Sequence, residues 1–391
     1  MSSVAVPPQS CWLSQRLQAS GTPVGFATVM EWLLSDPQHG YYGSGQVRFG
    51  PEGDFVTSPT QGAVFAELLR RQLWPLLEAL AQQSSGAISL IEWGPGEGQL
   101  LVQLLEGADL QQKPWLQRLE LVLVESSPAL RQRQQQQLAA LDVPCHWLTP
   151  EQLAAAPRRG VVLAHELLDA LPVQCFELHQ GRWHELAVGC DGAGAPCWQR
   201  AEPLPAAVLE KLQQLGLPAD GGGRPEGWRS EWCPTLEPWL RQARQSLQQG
   251  WLLAIDYAMP ATRYYAPQRD GGTLLACRAQ RTNTDLLADP GRQDITAHVC
   301  SSLLEQQAAP TGWQWRGSAL QGEVLLQLGL AAEISALSQP GPLDLAARLQ
   351  RREQLLRLVD PHLLGGFSWF LLEAQSQEAA PQPATPPGWW P

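Results

Sequence analysis

An acidic residue followed by glycines at alternate positions forms the stretch most suited to ligand binding: Glu92, Gly94, Gly96 and Gly98. The apolar run 88–91 predicts a buried strand, and leucines at helical spacing begin after Gln99. Glycines let a backbone approach a ligand closely because they carry no Cβ, and a helix start offers free N–H groups. Residues 88–104 therefore predict a ligand-binding turn between a strand and a helix, although a tight turn without a ligand has the same pattern.

The glycine spacing separates two classes of ligand. A dinucleotide site has the pattern G-x-G-x-x-G, but here the third glycine comes one residue early and Gln99 stands where that pattern has glycine. The spacing from Glu92 to Gly98 resembles the first motif of class I S-adenosylmethionine methyltransferases. An acid beside the loop suits the cationic end of that cofactor.

A second acid follows the next predicted strand. The apolar run 119–124 leads into Glu125, after which Ser126 or Ser127 can cap a helix and Pro128 fits its first turn. In a βαβ nucleotide site, an acid at this point binds the ribose hydroxyls. Glu125 is therefore our candidate for the ribose, and a plain helix N-terminal charge is the alternative. The glutamine-rich helix that follows, at 128–140, is expected to face solvent.

Two further apolar strands end in acids. The run 160–164 leads into His165 and Glu166, with Asp169 three residues later on the same side of a helical turn. The run 251–255 leads into Asp256. In open α/β sheets the carboxyl ends of strands face the ligand, so these side chains are expected at the site. A capping acid and a solvated charge would produce the same pattern.

The composition limits the partners. The 391 residues include 27 Lys+Arg and 38 Asp+Glu, for a net charge of −11, which argues against a general nucleic-acid groove. We see no apolar stretch of about 18 residues and no signal-peptide pattern, so no membrane span is expected. The eight cysteines are scattered, no C-x-x-C pair occurs and the seven histidines do not cluster with them, so no metal site is expected. Such thiols suggest a reducing cytoplasm.

The order of elements predicts an α/β fold: a Rossmann-like, mostly parallel sheet with helices on both faces, an N-terminal helical region and an insertion. The stretches 313–315 and 323–328 are expected to finish the sheet. The predicted divisions are an N-terminal helical and lid region at 1–84, a ligand-binding core at 85–188, an insertion with connecting helices at 189–250, the remainder of the core with C-terminal helices at 251–372, and a disordered proline-rich tail at 373–391.

Several stretches together carry a family resemblance, and they occur in one order: His39-Gly40-Tyr41-Tyr42, Gly53-Asp54-Phe55-Val56-Thr57-Ser58-Pro59, Glu92-Trp93-Gly94-Pro95-Gly96, Glu166-Leu167-Leu168-Asp169-Ala170-Leu171-Pro172, Ile255-Asp256-Tyr257, Asp294-Ile295-Thr296-Ala297-His298-Val299 and Gln321-Gly322-Glu323. The chain resembles the MidA family, the class I methyltransferases of complex I assembly. This resemblance runs from about residue 25 to residue 370, nearly the whole chain.

The resemblance implies S-adenosyl-L-methionine as cofactor and methylation of an arginine in a subunit of respiratory complex I or of an NDH-type complex. Methyl transfer needs the acceptor and the methyl group in line. A protonated guanidinium needs carboxylates that hold it and accept its proton. We assign that clamp to Glu166 and Asp169, with Asp54 and Asp256 as second candidates. The cofactor side would include His165, and Thr57-Ser58-Pro59 would close over its methionine end.

The chain departs from the family pattern at a set of positions near the motifs: Thr60, His165, Ala258, Gly271 and Gln280. Together with the tryptophan-rich insertion, these departures leave open a non-catalytic assembly factor that keeps the cofactor fold. An NAD-dependent oxidoreductase is the third alternative, which the early third glycine disfavours. The assembly that we predict for the chain is a homodimer.

Overall fold

The computed structural model describes residues 11–50, 53–54, 57–106, 113–339 and 344–374. The chain forms two compact units. The hairpin unit takes its residues from Met1–Gln46, Leu171–Thr235 and Pro260–Ala297. The sheet unit takes its residues from Val47–Ala170, Leu236–Met259 and His298–Pro391. The domain boundaries proposed from the sequence stay predictions.

The α-helices are, in chain order, α1 (Trp12–Ser20), α2 (Phe26–Ser35), α3 (Val64–Gln82), α4 (Gln99–Leu105), α5 (Pro128–Leu138), α6 (Pro150–Ala155), α7 (Ala206–Gln214), α8 (Leu236–Gln245), α9 (Ala261–Tyr264), α10 (Ser301–Ala308), α11 (Gln321–Gln327), α12 (Leu330–Ala336) and α13 (Leu345–Arg357). Short 3-10 turns lie at Ser58–Gln61, Pro114–Arg118, Leu168–Ala170, Ala309–Thr311 and Leu364–Gly366.

The strands are β1 (Val24–Gly25), β2 (Ile88–Trp93), β3 (Leu119–Val124), β4 (Cys145–Trp147), β5 (Arg158–His165), β6 (Gln174–His179), β7 (Arg182–Cys190), β8 (Pro196–Pro203), β9 (Arg229–Trp232), β10 (Leu247–Asp256), β11 (Ala258–Met259), β12 (Leu275–Arg278), β13 (Arg281–Asn283), β14 (Asp294–Thr296), β15 (Val299–Cys300), β16 (Gln314–Leu320) and β17 (Ser368–Ala374).

The sheet unit is built on strands in the order β16-β17-β10-β5-β2-β3-β4. Strands β10, β5, β2, β3 and β4 are mutually parallel, and β17 runs antiparallel to both β10 and β16. The predicted α/β fold with a mostly parallel sheet is therefore confirmed. Every residue of β2 is buried, as expected for a strand covered on both faces.

Helices cover both faces of this sheet. Side chains alternate along a strand, so Leu90 and Trp93 of β2 point to opposite faces. Leu90 belongs to the apolar core that α3 and α4 share. Trp93 meets Trp239 of α8 edge to face, with ring centroids 5.8 Å apart. The carboxyl ends of the parallel strands thus lie at one edge of a well-packed scaffold.

One sequence-based strand is wrong. The run 323–328 is helical, because α11 covers Gln321–Gln327 and buries Gln321, Val324 and Leu325 at helical spacing, while Leu326 is 47% exposed. The strand expected at 313–315 is present as β16, and β17 completes the sheet by pairing with both β10 and β16. Of the predicted tail 373–391, the first two residues end β17, and residues 375–391 lie outside the described part of the chain.

The hairpin unit is antiparallel. Its main sheet has the order β1-β7-β6-β9, and β8 pairs with β7. Strands β6 and β7 form an antiparallel β-hairpin. A buried carboxylate joins this sheet to the following segment, because Glu231 Oε1 accepts hydrogen bonds from Tyr264 Oη at 2.7 Å and from Thr273 Oγ1 at 2.6 Å. Within the described ranges of the whole chain, no helix is long and apolar enough to cross a membrane.

Candidate functional site

The glycine turn after β2 has a backbone that other residues adopt only under strain. Gly94, Gly96 and Gly98 have φ of +64°, +54° and +84°. A Cβ added at Gly94 would lie 2.7 Å from Leu167 Cδ1, so a larger residue would also clash. The Gly94 N–H donates to the Val124 carbonyl at 3.0 Å, which ties the turn to the end of β3. The three glycines therefore form a fixed cradle at the carboxyl ends of two adjacent strands.

Glu92 lies on β2 between Leu123 of β3 and Leu163 of β5. Its side chain is 3% exposed, and within the described residues its Oε2 atom makes no hydrogen bond. Burial raises the pKa of Glu92 to about 8. A buried carboxyl oxygen without a partner is costly, so this atom is suited to a polar or cationic ligand group.

Glu125 lies just beyond β3 and is 9% exposed. One carboxylate oxygen accepts the Ser127 N–H at 2.8 Å, and the other accepts a hydrogen bond from Gln134 Nε2 at 3.2 Å. Burial raises the pKa of Glu125, and these hydrogen bonds oppose that effect. The carboxylate that we predicted for the ribose is therefore held in one orientation beside the glycine turn.

The expectation that the helix after Glu125 faces solvent is wrong at Gln134. This residue of α5 is completely buried, although both Gln135 and Gln136 are exposed. Its neighbours on the buried face are Leu130 and Leu138, four residues away on either side. The spacing of those leucines was the available signal, because it places the glutamine between them on the inner face of the helix.

The tip of β5 carries the predicted clamp in a strained conformation. Glu166 has φ of +51°, in the left-handed region that non-glycine residues seldom adopt, and its N–H donates to the Ile255 carbonyl at 2.9 Å. Such strain persists where the surrounding structure enforces it, and it clusters at functional sites. The backbone of Glu166 is therefore directed by the neighbouring strand β10.

His165 precedes Glu166 and packs beside Phe65, with ring centroids 5.3 Å apart. Its Nε2 atom lies 3.4 Å from Glu166 Oε1. Burial lowers the pKa of His165 to about 3, so the imidazole is neutral near pH 7 and the contact is no ion pair. We predicted His165 on the cofactor side, and the structure places it directly beside the clamp acid.

Asp256 supports the turn that carries Asp169. Its Oδ2 atom accepts the N–H groups of Leu167, Leu168 and Asp169 at 3.1, 2.8 and 3.2 Å. Its Oδ1 atom accepts the Tyr257 N–H at 2.8 Å. Burial raises the pKa of Asp256 to about 7, and these N–H donors oppose the rise. With both oxygens occupied by backbone donors, this side chain is suited to positioning the turn.

The predicted closing segment lies against the clamp. Ser58 is completely buried in the turn Ser58–Gln61, and its N–H donates to Glu166 Oε1 at 3.3 Å. The Pro59 carbonyl accepts a hydrogen bond from Gln103 of α4 at 3.2 Å. Thr60 closes the turn: its hydroxyl donates to the Thr57 carbonyl at 2.7 Å and accepts the Thr57 N–H at 3.2 Å. The segment thus joins the clamp to the helix that follows the glycines.

A residue from the far end of the chain fixes Ser58. Gln321 Nε2 donates to Ser58 Oγ at 3.1 Å and to the Leu364 carbonyl at 2.9 Å, and Gln321 Oε1 accepts the Trp369 indole N–H at 3.1 Å. Gln321 is completely buried. The Gln-Gly-Glu motif had marked this residue without giving it a role.

Two other segments border the site. Phe49 lies against the glycine turn, since a Cβ added at Gly96 would lie 3.2 Å from its Cζ atom. Asp54 is 4% exposed, and its Oδ1 atom lies 4.0 Å from Arg48 Nη2. Its N–H donates to the Arg48 carbonyl at 2.9 Å. Asp54 therefore contacts Arg48 of its own loop, and Asp256 is linked to Asp169 through the turn after β5.

Tyr257 is a site residue that the sequence reasoning left without a role. It follows Asp256, is 37% exposed, and meets Phe367 edge to face with ring centroids 3.8 Å apart. Burial and then the charges of Glu166, Asp169 and Asp256 raise the pKa of its phenol above the ordinary value. An aromatic ring therefore lies within the field of the acidic cluster and stays accessible from outside.

A family described as "Putative S-adenosyl-L-methionine-dependent methyltransferase" matches residues 68–319. The chain belongs to this family. The cofactor of this family fits the geometry, because the glycine turn exposes backbone without side chains at the carboxyl ends of the strands. Within the described residues, a buried Glu92 oxygen also makes no hydrogen bond. The prediction of an S-adenosyl-L-methionine-dependent methyltransferase is therefore confirmed.

Solved structures and curated relatives agree with this membership. A Burkholderia thailandensis protein crystallised with S-adenosyl-homocysteine is 28% identical, with a TM-score of 0.79 and coverage of 97% of both chains. A Drosophila melanogaster relative named protein arginine methyltransferase NDUFAF7 homolog, mitochondrial, is 28% identical over 92% of this chain and 84% of its own. The human protein arginine methyltransferase NDUFAF7, mitochondrial, is 27% identical over 94% of this chain and 83% of its own.

These relatives contradict one prediction. A cytoplasmic location was expected from the scattered thiols and the absence of a signal pattern. The names of the fly, mouse and human proteins all give mitochondria as their location. Scattered thiols and a missing signal pattern do not determine the compartment of a chain, so the cytoplasmic prediction is withdrawn.

Proposed function

We propose that this methyltransferase acts on the guanidinium group of an arginine in a protein. The observation that carries the proposal is the placement of Glu166 and Asp169 on one turn at the tip of β5, next to the strand that leads into the glycine cradle. Relatives named protein arginine methyltransferases support the choice of acceptor. The acidic net charge of −11 also favours a cationic substrate.

Different residues of the chain would bind different parts of the cofactor and the acceptor. The glycine turn and Glu125 would hold the nucleoside part of the cofactor, and Glu92 would face its cationic amino-acid end. When bound, the cofactor supplies a methyl group on a sulfonium, which is the electrophile. The remaining tasks are to bind the acceptor, direct one of its nitrogens and exclude water.

Glu166 and Asp169 would bind the guanidinium. A free guanidinium stays protonated near neutral pH because its pKa is above about 12, and two carboxylates match its planar set of N–H donors. As the new C–N bond forms, the nitrogen loses a proton, and one of these carboxylates accepts it. Ser58 fixes Glu166 through its N–H, and Asp256 fixes the turn that carries Asp169.

We further propose that the acceptor protein is a subunit of respiratory complex I or of the related NDH-type complex. The ordered motifs shared with the MidA family support this proposal. A homodimer remains a separate prediction, which sedimentation of the purified chain would test.

The identity of the methyl acceptor can be tested with peptides that differ at one residue. Each peptide carries a single arginine, lysine or citrulline in the same context, and methyl transfer is followed with an isotope-labelled donor. We expect transfer to arginine, at least about tenfold less to lysine, and none to citrulline, which lacks the charge that the carboxylates bind. Equal transfer to lysine would contradict a guanidinium site. Binding of S-adenosyl-homocysteine without any transfer would favour the non-catalytic assembly factor.

A further inference from the structure

Gln134 connects two parts of the cofactor site that are far apart in sequence. Its Nε2 atom donates to the Gly96 carbonyl at 2.7 Å and to Glu125 Oε2 at 3.2 Å. Its Oε1 atom accepts the Trp147 indole N–H at 2.9 Å. The side chain is completely buried in α5. One amide group thus meets the glycine turn, the ribose acid and an indole.

The Trp147 indole determines how this amide is oriented. An indole N–H can only donate, so the amide oxygen must face Trp147 and the two N–H groups must face the other side. On that side stand a carbonyl oxygen and a carboxylate oxygen, both of which only accept when Glu125 is ionised. Every polar atom of the Gln134 side chain therefore has a partner of the right kind. In the reverse orientation, the amide N–H groups would face the Trp147 N–H, and the amide oxygen would face the Gly96 carbonyl and the Glu125 carboxylate.

The arrangement also restricts Glu125. Ser127 holds one carboxylate oxygen and Gln134 holds the other, so the plane of the carboxylate is set from both sides. The same Gln134 amide fixes the carbonyl of Gly96, the middle glycine of the turn. We propose that Gln134 is a positioning residue for the nucleoside part of the cofactor, which acts by fixing Glu125 and the Gly96 carbonyl relative to each other. This proposal rests on the cofactor assignment and is independent of the identity of the methyl acceptor.

Two substitutions separate positioning from simple support of the fold. Gln134→Met keeps the length and the apolar stem but removes all three hydrogen bonds. Gln134→Glu keeps the shape and the acceptor for Trp147, but at neutral pH it places a second carboxylate against Glu125 unless it takes up a proton. The matched controls are Gln135→Met and Gln135→Glu, because Gln135 is the adjacent exposed residue on the same helix.

The test is calorimetric binding of S-adenosyl-homocysteine and of methylthioadenosine, which has the nucleoside but lacks the amino-acid end. Both Gln134 variants should weaken both ligands by the same factor, about tenfold or more, because the loss lies at the shared nucleoside. For Gln134→Glu the loss should shrink as pH falls from about 8 to about 6, where the new acid gains its proton. The Gln135 variants should bind as the unmodified chain does at each pH.

Three results would overturn the proposal. One is unchanged affinity for methylthioadenosine in a folded Gln134 variant. Another is a loss for S-adenosyl-homocysteine that methylthioadenosine does not share. The third is equal losses in the Gln135 controls. If Gln134→Met does not fold, Gln134→Glu decides, measured at pH values where urea unfolding shows that it is fully folded, so that a loss of binding there is not a loss of fold. If the unmodified chain binds S-adenosyl-homocysteine strongly but methylates no arginine, the proposed acceptor is wrong and this inference is unaffected.

Discussion

The backbone N–H of Ser58 donates to the Glu166 carboxylate at 3.3 Å, across 108 positions of sequence. Ser58 is itself held by Gln321, which hydrogen-bonds to the C-terminal part of the sheet unit. A segment that was expected only to close over a cofactor therefore also directs the acid proposed to bind the acceptor. The segment proposed to close over the cofactor and the acid proposed to bind the acceptor are thus in direct contact.

Glu166→Gln should separate catalysis from cofactor binding. The amide keeps an oxygen for the Ser58 N–H but removes the charge that binds a guanidinium. We expect methyl transfer to fall by about a hundredfold or more, in the range that general-base residues supply. Binding of S-adenosyl-homocysteine, measured by calorimetry, should stay within about twofold. Glu106→Gln, at an exposed position of the same unit, is the control, and a comparable loss of activity there would contradict the assignment.

Binding of the cofactor product should release a proton from Glu92. Burial holds the pKa of Glu92 at about 8 in the free protein, and a cationic ligand group beside it favours the ionised form. Affinity should therefore rise with pH, by at most about tenfold per unit, and level off above about pH 8. Calorimetry in two buffers of different ionisation enthalpy measures the released proton. In Glu92→Gln the affinity should be lower, and both the pH slope and the proton release should disappear.

The same carboxyl should make the protein less stable at high pH. The pKa of Glu92 is about 8 in the folded chain against an ordinary value of 4.5 for a glutamate, so between these pH values only the folded state binds the proton. The contribution of this protonated carboxyl to the free energy of unfolding is fully present below pH 4.5 and is lost as pH rises through about 8. Glu92→Gln should match the unmodified chain near pH 4.5 and exceed it by on the order of a few kcal/mol near pH 9. Urea unfolding at the two pH values checks this, and a constant difference would count against it.

Asp256→Asn should loosen the turn that carries Asp169. Three backbone N–H groups share one carboxylate oxygen, and an amide offers a weaker acceptor and a competing donor. We expect a loss of about 1–3 kcal/mol in the free energy of unfolding and a drop in methyl transfer of about tenfold. Asp285→Asn, at an exposed position, should change neither quantity. Full activity in Asp256→Asn would show that the turn needs no such support.

Tyr257 should affect the acceptor and leave the cofactor unchanged. Its ring lies against Phe367 in the field of the acidic cluster, where it can stack on a guanidinium. Tyr257→Phe should keep KM for an arginine peptide within about threefold, whereas Tyr257→Leu should raise it by about tenfold, since only the second change removes the ring. Affinity for S-adenosyl-homocysteine should be equal in both. A KM unchanged in Tyr257→Leu would remove the ring from the acceptor site.

The sequence carried the outline of the site because its signals are local. The glycines after β2, the acid after β3 and the acids after β5 each follow an apolar strand, and parallel strands bring such ends together. The φ values of Gly94, Gly96 and Gly98 show why glycine stands at each position. The mostly parallel order of the sheet followed from the same alternation of strands and helices.

The remaining features depend on contacts between distant residues. Gln134 lies in a run of glutamines whose composition predicts exposure, and only its spacing from Leu130 and Leu138 distinguishes it. The contact between Gln321 and Ser58 spans 263 positions, and no local pattern encodes it. The run 323–328 was misassigned because a short apolar run fits both the strand period and the helix period. In the structure this run is helical, with Val324 and Leu325 buried.

The central claim is that this chain methylates protein arginines. The most direct test compares cells with and without the gene, by mass spectrometric mapping of methylated arginines in the purified respiratory complex. The account predicts at least one arginine that is methylated in the first cells, unmethylated in the second, and restored by the unmodified gene but not by Glu166→Gln. Identical arginine methylation in both kinds of cell, or full restoration by Glu166→Gln, would contradict it.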